Sequence, residues 1–246
     1  MSLPFDPLSL SALMAAVIAL LAGSVHGYSG FGGALMMVPL LSFFAAPVHA
    51  VALTMIAAFF GQASMVLRAV RIARWQECGP FLVASIAAAP LGAFLLVGGD
   101  AGIVRRLVGM TTLIAACILA TGWAYRGART PAVGALFGTL SGLVNGATGQ
   151  GGPVSVAYFI AAPVGAEMQR ANIISTVCGL VIGTLLSLAA NGVLGVRLIA
   201  VGAALGLPYM LGITIGSRMF QLLPKQSYRR ATLGLLFLTG IAALIK

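Results

Sequence analysis

Two glycine-rich stretches carry the polar side chains that could bind a ligand inside an otherwise apolar chain. The first, GSVHGYSGFGGALMMVP from Gly23 to Pro39, holds His26 and Ser29; the second holds Asn145, Thr148 and Gln150. They are copies of one another. Adding 119 to Gly23, Gly27, Gly30, Gly32 and Gly33 gives Gly142, Gly146, Gly149, Gly151 and Gly152, while His26 lands on Asn145 and Ser29 on Thr148. Small residues extend the match upstream, Ala15 and Ala19 standing opposite Gly134 and Gly138. Close packing of apolar helices explains small residues four apart. It does not explain the break Gly-x-Gly-Gly that ends each ladder, and the two stretches read as an internal duplication.

The chemistry offered is anion binding. A helix that begins just after a glycine turn presents unpaired N–H groups and the positive end of its dipole. Glycine also lets a ligand approach the backbone and permits positive φ. Helices starting near Gly33 and Gly152 would aim two such ends at one another, with the side chains of His26, Ser29, Asn145, Thr148 and Gln150 as further donors. The four carboxylates, Asp6, Glu77, Asp100 and Glu167, all fall outside the apolar runs. A donor-rich pocket without fixed negative charge suits a small oxyanion. The expected substrate-binding set is His26, Ser29, Gly30, Gly32, Gly33, Asn145, Thr148, Gly149, Gln150, Gly151 and Gly152. Thr54, Gln62, Asn172 and Ser175, on the following helices, are candidates for the cavity wall.

Plainer roles compete at most of these positions. Ser29 and Thr148 can instead bond a carbonyl in their own turn. His26, the one histidine inside an apolar run, can relay a proton or simply pack against a neighbouring helix; its mate Asn145 cannot titrate. The four wall candidates can serve helix-to-helix hydrogen bonding alone. Gln150 stands where the first copy has Phe31, which makes the breaks chemically unequal and Gln150 the favoured ligand contact. Met36, Met37, Phe43, Phe44, Phe59 and Phe60 read as packing or lipid contacts.

Lipid is the solvent that this composition requires. The 246 residues are 60% hydrophobic and 7% charged, with a mean hydropathy of +1.08, against about a quarter charged in soluble globular chains. With ~20 apolar residues per crossing, the chain divides into about eight to ten transmembrane or re-entrant helices and no separate extramembrane domain. The net charge of +10 comes from 14 scattered basic residues with no basic face and no interleaved aromatics. They read as topology signals rather than a nucleic-acid surface, with some attraction for an anionic cargo. Cys78, Cys117 and Cys178 lack metal or redox spacing, and no metal or cofactor is expected. The amino-terminal residues have no basic stretch before the first apolar run, which is therefore read as a membrane segment rather than a cleaved signal peptide.

The runs extend over Leu8–Gly27, Ala34–Ala46, Ala50–Leu67, Pro80–Val97 and Ile103–Trp123 in a first half, 1–125. After the polar joint Tyr125–Pro131, a second half, 126–246, reads Ala132–Gly146, Val154–Pro163, Ala171–Ala190, Leu198–Ile215 and Ala231–Ile245. None alternates as a barrel strand would, so the fold class is an all-α polytopic membrane protein with glycine-broken helices at its centre. Pro90 and Pro208 are expected to kink the fourth run of each half. If each broken run doubles back, the halves are inverted in the membrane. Arg68, Arg71, Arg74, Arg126, Arg129, Arg170, Arg218, Lys225, Arg229 and Arg230 then face the cytoplasm, ten against four outside. Single crossings would give seven against seven. The positive-inside rule favours the inverted repeat, the common plan of secondary transporters with substrate at the breaks.

The motif GYSGFGGALMMVPLL, its echo NGATGQGGPVSV and the basic loop RIARW resemble the TauE/SafE family of membrane permeases over nearly the whole chain, from about Leu10 to Leu244. The resemblance implies a multi-pass transporter of the bacterial inner membrane for sulfite, sulfonates or related organosulfur anions, usually described as an exporter. It also implies that Gly30, Gly32 and Gly33, with Gly149, Gly151 and Gly152, line the transport site. The copies differ in that Pro39 closes the first motif, whereas the second has Tyr158 there and Pro153 earlier. The expected partners are a small anion, the bilayer, and a coupling ion that could be a proton on His26 or sodium held by carbonyls at the breaks; uncoupled transport stays open.

Other classes compete with a carrier. GYSG at Gly27–Gly30 matches the GxSG of rhomboid-like serine proteases, but that chemistry needs a histidine on another helix. Only His26, on the same turn, and His49, expected in a loop after Pro47, are present. A channel would use the same donors without alternating access, and a scaffold would carry no flux.

Overall fold

The computed structural model describes residues 10–222, 234 and 236–244, and the regular structure among them is helical. The first half contributes α1 (Leu10–Ser29), α2 (Gly33–Leu41), α3 (Pro47–Gly61), α4 (Ala63–Ile72), α5 (Trp75–Gly98) and α6 (Ala101–Thr121). The second contributes α7 (Pro131–Thr148), α8 (Gly152–Phe159), α9 (Ala166–Ala190) and α10 (Val196–Leu222), and residues 236–244 are also helical. Lys225, Arg229 and Arg230, three of the ten charges expected to face the cytoplasm, lie outside the described residues, as does Asp6.

Local chemistry sets the starts of these helices. Pro47 and Pro131 open α3 and α7, where the fixed φ suits a first turn and the missing N–H is not needed. His49 therefore sits in the first turn of α3 rather than in a loop. Asp100 caps α6, its Oδ1 accepting from the N–H of Gly102 at 2.8 Å and of Ile103 at 3.1 Å. Replacing Asp100 with Ala should lower stability by about 1 kcal/mol, read as a lower thermal midpoint of the detergent-purified protein.

Helices α1, α5, α6, α9 and α10 are each long and apolar enough to cross a membrane, and α3 with α4 makes a sixth if counted as one bent span. That bend, 67° at Gln62, divides what the sequence presents as one run. Beyond Gln62 the run acquires Arg68 and Arg71, and Ala69 is the one buried residue of α4, so this helix leaves the core. Helices α2 and α8, with 9 and 8 residues, reach only ~14 and ~12 Å at 1.5 Å per residue, about half of a hydrocarbon core. Large apolar side chains such as Leu13, Leu91, Phe94, Leu136, Leu186 and Leu207 cover the outside. The protein is a multi-pass integral membrane protein.

The glycine ladders bring the helices into backbone contact. Helix α1 packs most extensively on α10, and α7 on α5. A Cβ placed on Gly142 would lie 2.2 Å from the Ser85 carbonyl oxygen, one on Gly146 2.2 Å from that of Ala89, and one on Gly92 2.2 Å from that of Leu143. The other pair repeats this arrangement: Gly23 meets the Tyr209 carbonyl at 2.1 Å, Gly27 that of Ile213 at 2.2 Å, and Gly216 that of Ser24 at 2.0 Å. These contacts correspond through one offset of 119 for α1 and α7 and another of 124 for α5 and α10. Each half thus lends its broken helix to the other half's fourth long run. Pro90 and Pro208, which lie inside α5 and α10, do not correspond under that offset.

Candidate functional site

Both broken helices end in the same way. The N–H of Gly30 donates to the His26 carbonyl at 2.7 Å, and that of Gly149 to the Asn145 carbonyl, also at 2.7 Å. Gly30 and Gly149 have φ of +81° and +71°, a left-handed closure that a side chain would strain. The chain then reverses. A Cβ on Gly33 would lie 3.1 Å from the Ala22 carbonyl oxygen, and Ser141 Oγ donates to the Gly151 carbonyl at 2.8 Å, so α2 and α8 start back alongside α1 and α7. Past this point the copies diverge: Gly32 is left-handed with φ 90°, Gly151 right-handed with φ −69°. In the second copy Asn145 Oδ1 accepts from the Gly151 N–H at 3.0 Å and so sets that turn. Its mate His26 turns instead to Tyr209, whose hydroxyl lies 3.1 Å from Nδ1.

Between the two turns lies a cavity of about 30 Å³, room for about two waters. An oxyanion with three or four oxygens fits only if the walls part. Of the expected set, His26, Gly32, Asn145, Gly149, Gln150 and Gly152 line it, so residues of both breaks are brought together. Gln150 is 2% exposed. Its Oε1 accepts from the hydroxyls of Thr111 at 2.8 Å and Thr112 at 3.1 Å, while its Nε2 is buried with no hydrogen-bond partner in the structure. His26 Nε2 is in the same condition. Asn145 Nδ2 is engaged, donating to the Thr184 hydroxyl at 2.7 Å and the Leu180 carbonyl at 3.0 Å. No side chain caps the N-terminus of α2 or α8.

The remaining expected residues do not line this cavity. Ser29 Oγ bonds the carbonyls of Val25, at 2.7 Å, and Phe31, and Thr148 Oγ1 bonds that of Val144 at 2.8 Å; both close their own turns. Gly33 and Gly151 are buried packing positions: a Cβ on Gly33 would fall 2.1 Å from the Tyr209 hydroxyl, and one on Gly151 2.3 Å from the Ser141 carbonyl oxygen. Gly30 faces Ile174 and Arg170. Thr54 Oγ1 donates to the Ala50 carbonyl at 2.8 Å. Asn172 Oδ1 accepts from the Arg74 N–H at 2.8 Å and so anchors the start of α5. Gln62, at the α3–α4 bend, and Ser175 are buried with side-chain polar atoms unpaired in the structure. Among the described residues no three His, Cys, Asp or Glu side chains form a group that could hold a metal ion.

Tyr209, Thr111 and Thr112 join the site through His26 and Gln150, with no motif around them to mark it. Tyr209 is fully buried; its ring fills the space left by Gly61 and its hydroxyl the space left by Gly33. A lone tyrosine in an apolar run was the available signal. Tyr209→Phe keeps the ring but leaves His26 Nδ1 without its partner, so it should cost about 1–3 kcal/mol, measurable as a lowered thermal midpoint.

The fold and the site thus define a class: a membrane protein, all-helical and multi-pass among its described residues, in which two interrupted helices close on a small, largely apolar cavity that carries a few polar side chains. Residues 15–243 match the family "Sulfite exporter TauE/SafE", and the chain belongs to that family of membrane permeases. No curated protein and no solved structure matches it significantly.

Proposed function

We propose that this protein is a secondary transporter of small anions, namely sulfite, sulfonates or other organosulfur anions, in the bacterial inner membrane. The cavity between the breaks holds the anion, and the halves 1–125 and 126–246 are inverted repeats that expose it alternately to either face. One observation carries the reading. The unpaired nitrogens of Gln150 and His26, contributed by opposite copies, border one cavity whose lining includes no carboxylate. With the Tyr209 hydroxyl donating to Nδ1, His26 carries its ring proton on Nε2; buried donors left unsatisfied are costly, and an oxyanion flanked by two uncapped helix N-termini would satisfy both. The exchange of packing partners between α1 and α7 supports the duplication, and the reversal at each break supports its inverted form.

The alternatives fit less well. A channel needs a continuous path, whereas this cavity is small and enclosed by Met55, Val177 and Val181 as well as its polar groups. For a serine protease, Ser29 would have to give its hydroxyl to a histidine; it gives it to two carbonyls, and His26 is held by Tyr209. The test is flux into proteoliposomes with sulfite, thiosulfate, sulfoacetate, taurine and sulfate, followed by counterflow. A carrier shows trans-stimulation by at least one of them. Flux without trans-stimulation favours a channel, and no flux with any of the five overturns the proposal. Imposed proton and sodium gradients distinguish the coupling ions.

A further inference from the structure

The two glycine turns sit in matched surroundings with one chemical difference. A Cβ on Gly149 would meet Met55 Cε at 3.2 Å and Val51 Cγ1 at 3.3 Å; one on Gly30 would meet Ile174 Cγ1 at 3.4 Å and Arg170 Cγ at 3.5 Å. The offset of 119 carries Met55 to Ile174 and Val51 to Arg170. One turn is therefore sealed by apolar side chains, and the other has a guanidinium in place of a valine. Arg170 Nη2 donates to the Gly27 carbonyl at 2.7 Å, and Ser217 Oγ donates to the same oxygen at 3.2 Å. Gly27 adjoins His26, whose ring borders the inner cavity. Outside this contact lies a second, more open cavity of about 460 Å³, bordered by Arg68, Glu167, Arg170 and Ser217. An ion pair at its rim, Arg68 with Glu167 at 3.9 Å, joins two well-exposed side chains and so binds weakly.

We propose that Arg170 is the anion-receiving latch of one membrane face only. An anion reaching the outer cavity replaces the Gly27 carbonyl on the guanidinium. This charge-assisted pair is stronger than the bond it displaces, and it frees the last turn of α1 to move aside and admit the anion to the inner cavity. The Gly149 turn, with Val51 at the matching place, opens to the other face by parting of apolar side chains. The inference rests on the anion-transport reading and goes beyond it by assigning a residue that acts on one face and makes the carrier functionally asymmetric. Energetically, an anion shifts the latch only by its preference for the open form, which the guanidinium supplies.

The experiment uses full-length protein in proteoliposomes of defined orientation, with sulfite flux started from either face. Arg170→Val should raise the sulfite KM by about tenfold or more from the Arg68 face, as loss of a charge-assisted contact does, and leave the KM from the opposite face within about twofold. Arg170→Gln, which keeps a donor for the Gly27 carbonyl without the charge, should show the same one-sided change. Arg170→Lys should restore most of the affinity. Equal changes from both faces, or no change from either, overturn the latch while wild-type flux leaves the transport reading intact. Wild type that carries no sulfite and none of the other four anions overturns that reading and the latch together.

Discussion

Gln150→Glu should abolish the anion flux proposed for this protein while leaving it folded. The substituted carboxylate keeps an oxygen for Thr111 and Thr112, which reach the native amide at 2.8 and 3.1 Å. What changes is the other half of the group: a donor facing the cavity becomes a negatively charged acceptor. Two unit charges about 4 Å apart repel by about 4 kcal/mol at an effective dielectric constant of 20, or nearly three orders of magnitude in affinity. Gln150→Ala removes the donor without adding charge and should cost closer to tenfold, the value of one hydrogen bond to a charged group. Thr111 and Thr112 stay satisfied by carbonyls of their own helix. Parallel thermal melts and flux at several sulfite concentrations check the pair. A Gln150→Glu protein that is stable and transports normally would remove Gln150 from the site.

Gly142→Val should eliminate the folded protein altogether. Its Cβ would lie 2.2 Å from the Ser85 carbonyl oxygen, and the obstruction is helix backbone, which cannot swing away as a side chain tip can. Separating α5 from α7 to make room also disturbs the neighbouring contacts at Gly138, Gly146 and Gly92, so the cost should exceed about 4 kcal/mol. Gly23→Val, the mate of this position, meets the Tyr209 carbonyl at 2.1 Å and should do the same to α1 and α10. Gly79→Ala is the control on α5, since a Cβ there meets nothing within 4 Å. Size-exclusion chromatography of the extracted protein should show a monodisperse peak for Gly79→Ala and wild type, and aggregate or no protein for the two valine variants.

The parts of this molecule that were legible in the sequence are those in which polarity or glycine stands out against an apolar background. The all-helical, multi-pass fold and the two breaks follow from residue types at fixed spacing, and the same spacing sets Gln150, which lines the cavity, apart from its mate Phe31. The family was readable from the same motifs. What spacing cannot supply is the partner across the bundle. Ser29 and Thr148 share the register of ligand-binding groups, yet each has a carbonyl four residues back within reach, and the local bond wins. Tyr209 joins the site through α10, more than 180 residues from His26. Glu77 stands outside the apolar runs by composition, yet α5 starts at Trp75 and buries it beside Arg74 at 3.1 Å and Arg129 at 3.8 Å. The polar joint supplies that second arginine, which also lies 4.8 Å over the Tyr158 ring. Arg170 read as a topology charge; its contact with Gly27 is visible only once α9 is packed against the end of α1.

The most direct test of the account is to locate the anion itself. Selenite has the shape and charge of sulfite, and its selenium can be placed by anomalous diffraction in crystals of the protein. The account predicts one strong selenium peak between the Gly32 and Gly149 turns, placed so that a selenite oxygen accepts from Gln150 Nε2, and weakened in Gln150→Ala crystals. A selenium peak elsewhere, with this cavity empty in a protein that carries selenite, would contradict it.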